Sequence, residues 1–174
     1  SGGSAAADLP TAGGRVSDQH VRIAQMAVLR GSGRLVAIGL GSCVAIIVHD
    51  RVARVGGLAH VLLPDPTAAR DDQNPARFAT RAVPALLAEM KREGARGPYE
   101  ARLVGGAALF GNMLASAQGQ MGDRNVAAAR EALGRSRVPV VAADTGGNAG
   151  RSVAFDVASG VVEVRGVRGG IRQL

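Results

Sequence analysis

The chain has one cysteine, Cys43, and it sits in the stretch Gly-Leu-Gly-Ser-Cys-Val-Ala-Ile-Ile-Val-His-Asp at residues 39–50. A buried structural cysteine has no need of neighbouring glycines. One that presents its sulfur to a ligand does, because glycine lets the backbone turn sharply and come close to what it binds. His60 lies seventeen residues on, just past the pair Gly56-Gly57. Two strands joined by a turn at Asp50-Arg51 can bring the side chains together. A cysteine beside an imidazole ionises to a thiolate, the reactive nucleophile. The histidine holds the proton and returns it to the leaving group. The plainer alternative is a small core cysteine and a strand histidine satisfied by its neighbours. One cysteine and three histidines (His20, His49, His60) show no ligand spacing, so no metal site is expected. The further pairs Gly105-Gly106 and Gly146-Gly147 end strand-like runs and match no phosphate loop. They read either as tight turns or as a source of N–H groups for a developing oxyanion.

The elements that must position these groups follow from periodicity and punctuation. Residues 20–30, 34–39, 44–50 and 52–64 read as strands, the last interrupted by Gly56 and Gly57 at a bulge or a close backbone approach. A polar loop follows. Residues 75–95 read as one helix, with Asn74 as N-cap and Pro75 in the first turn. Phe78, Ala82, Leu86 and Met90 form its buried stripe, Gly94 stops it, and Pro84 kinks or splits it. Residues 100–110 form a strand running into Gly105-Gly106. A second helix over 122–135 is capped by Asp123, with Val126, Arg130 and Leu133 spaced along it. Residues 138–144 form a strand, and 152–167 a hairpin turning at Ala158-Ser159-Gly160. Strands outnumber helices and come both in runs and around helices. The expected fold is α/β, with layered mixed β-sheets flanked by helices. Residues 1–19 read as a flexible N-terminal arm that opens with a tag scar, and residues 20–174 as a single domain.

Composition narrows the function classes. With 47 % hydrophobic residues the chain builds a core, and with only 2 % aromatics that core is Val, Leu, Ile and Ala. No run is long and apolar enough for a membrane span, and the first residues lack the pattern of a signal peptide. A lone cysteine fits a reducing compartment, here the cytoplasm. The net charge of +7 comes from scattered arginines, Lys91 being the only lysine. Without a basic stripe or aromatics for stacking, nucleic acid is excluded, and an acidic protein partner is the better use of the charge. Phe110, a large aromatic in a glycine-rich loop, reads as a partner-binding anchor near the Cys43 pocket, or else as core under the loop.

The segments at 35–50, 56–64, 103–110, 121–126 (Met-Gly-Asp-Arg-Asn-Val) and 138–165 together resemble the CheD family, the chemoreceptor glutamine deamidases of chemotaxis. The resemblance covers residues 20–167. It implies a fold similar to that of the cytotoxic necrotizing factor type of cysteine deamidase. It implies conversion of receptor glutamines to glutamates, hydrolysis of receptor glutamate methyl esters, and binding to the phosphatase CheC. It needs no cofactor and no metal. It puts the nucleophile on Cys43 and its histidine on His60, with Gly41 and Ser42 at the turn offering backbone groups to the oxyanion or substrate. The family's third catalytic residue, a threonine, falls on Ala37, which cannot hydrogen-bond the imidazole. Two readings follow: an active deamidase, or a weakly active or inactive binding partner of CheC or of chemoreceptors.

Overall fold

The computed structural model describes residues 17–66, 73–109 and 120–174. Strand β4 (Val44–Asp50) and strand β5 (Val55–Val61) pair antiparallel, and every residue of both is buried. Strands covered on both faces need near-continuous apolar runs, which Val-Ala-Ile-Ile-Val supplies. They form the middle of a five-stranded sheet in the order β2 (Gln25–Arg30), β5, β4, β6 (Glu100–Gly105), β7 (Val140–Thr145). The β6–β7 pair is parallel and the other pairs are antiparallel, so the sheet is mixed.

One face of this central sheet is covered by helices α1 (Ala79–Arg92) and α2 (Met121–Arg135), in a core built from Val44, Ile46, Val61, Leu86, Met90 and Leu133 among others. The other face packs on a second sheet in the order β1 (Asp18–His20), β3 (Arg34–Leu40), β8 (Arg151–Asp156), β9 (Val162–Gly166), β10 (Ile171–Gln173). That inter-sheet core holds Leu35, Ala37, Cys43, Ala45, Ile47, Leu58 and Phe155. Both sheets are mixed, and the helices sit on one side only, giving a helix–sheet–sheet stack.

Three expected elements come out differently. Residues 20–30 are not one strand. β1 joins the outer sheet, β2 joins the central sheet, and residues 21–24 cross between them, with Ala24 at φ 61°. The expected helix over 75–95 is divided at Phe78, not at Pro84. Asn74 does cap a short 3-10 turn, Pro75–Arg77, through its side chain on the Ala76 N–H at 3.2 Å. The Arg77 carbonyl then accepts from Leu62 and Leu63, and the Ala79 N–H donates to Leu63, so pairing with the end of β5 holds Phe78 extended. Pro84 sits on the exposed side of α1, inside a continuous helix. The N-cap position of α2 is Gln120, and Asp123 lies in the first turn, favourably placed at the positive end of the helix dipole. Its buried stripe contains Asn125, Ala129 and Leu133, with Arg130 exposed.

Gly56 and Gly57 mark close approach and no bulge. A Cβ on Gly56 would lie 2.6 Å from the Phe155 ring, and one on Gly57 2.8 Å from Leu86. β5 is thus thin where both neighbouring layers press on it. Gly56→Ala should lower unfolding stability by about 1–3 kcal/mol through overpacking. The control Gly134→Ala, on the exposed side of α2 with nothing within 4 Å, should raise it by about 0.5–1 kcal/mol. Urea denaturation of the two variants checks the opposite signs.

Candidate active site

Cys43 ends the turn between β3 and β4 and is 7 % exposed. The turn is tied down by its carbonyls. Gly41 C=O accepts from the Ala107 N–H at 2.7 Å, and Cys43 C=O accepts from the Gly106 N–H at 2.8 Å. Ser42 C=O accepts from the Asn125 side-chain amide at 2.9 Å. In a trans peptide the C=O and the following N–H point in opposite directions. The N–H groups of Ser42 and Cys43 therefore face away from these tethers, and neither makes a hydrogen bond to another described residue. Gly105 lets its segment lie this close: at φ 112° it has no Cβ, which would stand 2.3 Å from the Cys43 oxygen.

His60 stands directly opposite Ala45 in the β4–β5 ladder. Cys43 lies two residues before Ala45, and both face the inter-sheet core. His60 shares that face with Leu58, two residues before it. Cys43 and His60 are therefore diagonal neighbours across the pair, as the sequence spacing allows. His60 is 2 % exposed, and its Nδ1 lies 3.0 Å from the Val21 carbonyl oxygen. A carbonyl only accepts, so Nδ1 carries the proton and Nε2 carries the lone pair. That Nε2 is buried and unbonded. Val21 is held in turn by its own N–H on the Val36 carbonyl of the outer sheet at 2.7 Å, and the Ala24 N–H bonds the His60 carbonyl at 2.8 Å. The crossing segment 21–24 thus grips His60 at ring and backbone.

Burial pushes the Cys43 thiol above its ordinary pKa, opposed in part by its own backbone N–H. Burial pushes the His60 imidazole below its ordinary pKa, opposed in part by the Val21 carbonyl. The resting pair is a thiol and a neutral imidazole.

Ala37 is fully buried on β3, opposite Val153, in the same apolar cluster as Cys43. Gly41 lies under Leu109, whose Cδ1 would be 2.8 Å from a Cβ there. Phe110 lies outside the described residues. A cleft of about 550 Å3 reaches His60, lined by His20, Val21, Arg22, Ile23, Val36 and Ile38. Ile23 and Ile38 are 56 % and 62 % exposed at its edge. Among the described residues no three His, Cys, Asp or Glu side chains converge as metal ligands.

Sequence reasoning missed two contributors. Val21 acts through its backbone carbonyl, which leaves no signature in a sequence. Asn125 is fully buried on α2, bonds Ser42 C=O and also donates to Leu62 C=O at 3.0 Å. Its signal was a polar residue on the apolar stripe of a helix.

The family model for CheD, chemotactic sensory transduction, matches residues 62–166. A protein of Clostridium novyi named probable chemoreceptor glutamine deamidase CheD is 38 % identical over 156 residues, covering 89 % of this chain and 96 % of its own. The chain belongs to the CheD family. A CheD 2 of Geobacter metallireducens, carrying the same description, is 47 % identical over 142 residues, 80 % of this chain and 88 % of its own. A CheD of Moorella thermoacetica is 45 % identical over 148 residues, 83 % and 88 % of the two chains. In this CheD chain, the β4–β5 register sets Cys43 and His60 diagonally across the pair with no hydrogen bond between them among the described residues, and Ala37 lies in the apolar layer with Cys43.

The directions of the two shifts fix a pH profile. For a Cys43 nucleophile with His60 as its base, the imidazole must be neutral to take the thiol proton, and the pair must hold that proton for later delivery to the leaving group. Activity should therefore rise through an acid limb below the ordinary imidazole pKa and fall through an alkaline limb above the ordinary thiol pKa. The measurement is kcat/KM against pH on a glutamine substrate. An acid limb above the imidazole range would contradict the neutral pair.

Proposed function

We propose that this CheD chain hydrolyses glutamine side chains of chemoreceptors to glutamate through a Cys43 thioester. The observation that supports it most is the unbonded His60 Nε2 lone pair on the same face as Cys43, beside a turn whose carbonyls are all tied back. Cys43 gives its proton to His60 Nε2 as sulfur bonds the carboxamide carbon. The oxyanion is held by the N–H groups of Ser42 and Cys43. His60 then protonates the amide nitrogen, the C–N bond breaks, and ammonia leaves. Water enters, His60 takes its proton, oxygen bonds the carbonyl carbon, and the C–S bond breaks as His60 returns that proton to sulfur, leaving glutamate and the Cys43 thiol. A receptor glutamate methyl ester follows the same steps with methanol as leaving group. The substrate is the cytoplasmic part of a receptor, and CheC is the proposed protein partner. Among the described residues no helix is long and apolar enough to cross a membrane, which accords with action in the cytoplasm.

Incubation with receptor signalling domains, followed by mass spectrometry of their peptides, tests the reading: specific glutamines should become glutamates. Cys43→Ala should abolish the conversion with the fold intact, and His60→Ala should lose nearly as much, since the two act as a unit. Wild-type activity in either variant would refute the mechanism.

Ala37 favours the second reading, a CheD chain retained mainly as a binding partner. The Val21 carbonyl argues against impairment, because it already holds Nδ1–H. Ala37→Thr should accordingly leave the deamidation rate within about twofold. A gain of about tenfold, the worth of one recovered hydrogen bond, would show a crippled natural site.

A further inference from the structure

We infer that Asn125 is a positioning residue that fixes the oxyanion-binding orientation of the Ser42–Cys43 peptide; the inference rests on the deamidase reading above. That peptide carries the Ser42 carbonyl on one side and the Cys43 N–H on the other. The backbone N–H groups of Ala107 and Gly106 tie the carbonyls on either side, but the one between them depends on a side chain. Without the Asn125 amide this peptide is free to rotate, which would turn a carbonyl toward the place where the oxyanion forms. The same amide nitrogen spends its other hydrogen on Leu62 C=O, two residues past His60. One side chain thus joins the nucleophile turn to the end of the histidine strand.

Three further observations set Asn125 apart from an ordinary core residue. It is wholly buried, and its Oδ1 has no hydrogen-bond partner among the described residues, a cost that cores seldom keep without a role for the group. It occupies a stripe position of α2 where Ala129 and Leu133 are apolar. Its helix is seated by a glycine contact: a Cβ on Gly122 would stand 2.4 Å from the Gly106 oxygen, so α2 lies directly against the segment that ties Cys43. The amide is thereby brought to the turn by backbone packing.

The test separates chemistry that needs an oxyanion from chemistry that does not. Glutamine hydrolysis passes through an oxyanion, whereas alkylation of Cys43 by iodoacetamide is a displacement at saturated carbon. In Asn125→Leu and Asn125→Asp, kcat on a receptor fragment should fall about a hundredfold, the usual loss for one oxyanion donor, with KM little changed. Alkylation should fall by no more than about tenfold, since it needs the thiolate, which the Cys43 N–H helps hold, and no oxyanion donor. Wild-type kcat in both variants overturns the inference and leaves the deamidase reading standing. So does an equal fall in both rates, or failure of both variants to fold, either of which makes Asn125 a stability residue only. A wild-type chain that deamidates no receptor glutamine overturns the deamidase reading and this inference together.

Discussion

Three consecutive carbonyls, those of Gly41, Ser42 and Cys43, are each committed to a hydrogen bond from the β6 turn or from α2. Most of the surrounding structure serves to supply the donors. Gly105 and Gly106 take positive φ so that the end of β6 can turn and offer two N–H groups. Gly122 lets α2 close on that turn, and the helix delivers Asn125. Any Cβ at Gly105, Gly106 or Gly122 would stand less than 2.5 Å from a neighbouring atom. The glycines are therefore a condition of the geometry, which leaves the Ser42 and Cys43 N–H groups without a partner among the described residues.

The histidine is controlled from the opposite edge. Val21 spans the two sheets, its N–H on Val36 in one and its carbonyl on His60 in the other. The tautomer of His60 thus depends on how the sheets are stacked, because the Val21 carbonyl that accepts from Nδ1 is placed by that stacking. Burial adds a second effect. It disfavours both charged forms, so thiol and imidazole both rest neutral.

Much of this was legible in the sequence, and the parts that were not share a cause. Cys43 and His60 stood out because glycines flanked the one and preceded the other, and their seventeen-residue separation fits a strand pair turning at Asp50-Arg51. β3, β4 and β6 were legible as dense apolar runs. The break at residues 21–24 was hidden, because Val, Ile and Met favour strands and only tertiary pairing assigns the two halves to different sheets. The extended Phe78 was hidden for the same reason: its pairing with Leu63 overrides a good helical pattern. β10, three exposed residues paired to β9, carries too little burial to show a period. Asn125 was hidden because the helix was read with Val126, Arg130 and Leu133 along it, whereas the buried stripe runs through Asn125, Ala129 and Leu133.

The central claim is that a receptor glutamine passes through a thioester on Cys43. Hydroxylamine added during turnover attacks an acyl thioester in competition with water. With a receptor signalling domain as substrate, mass spectrometry should find the hydroxamate at the same glutamine positions that otherwise become glutamate, and neither product with Cys43→Ala. Glutamate formation that continues in the Cys43→Ala protein, or brisk turnover in which excess hydroxylamine captures nothing, would contradict the account.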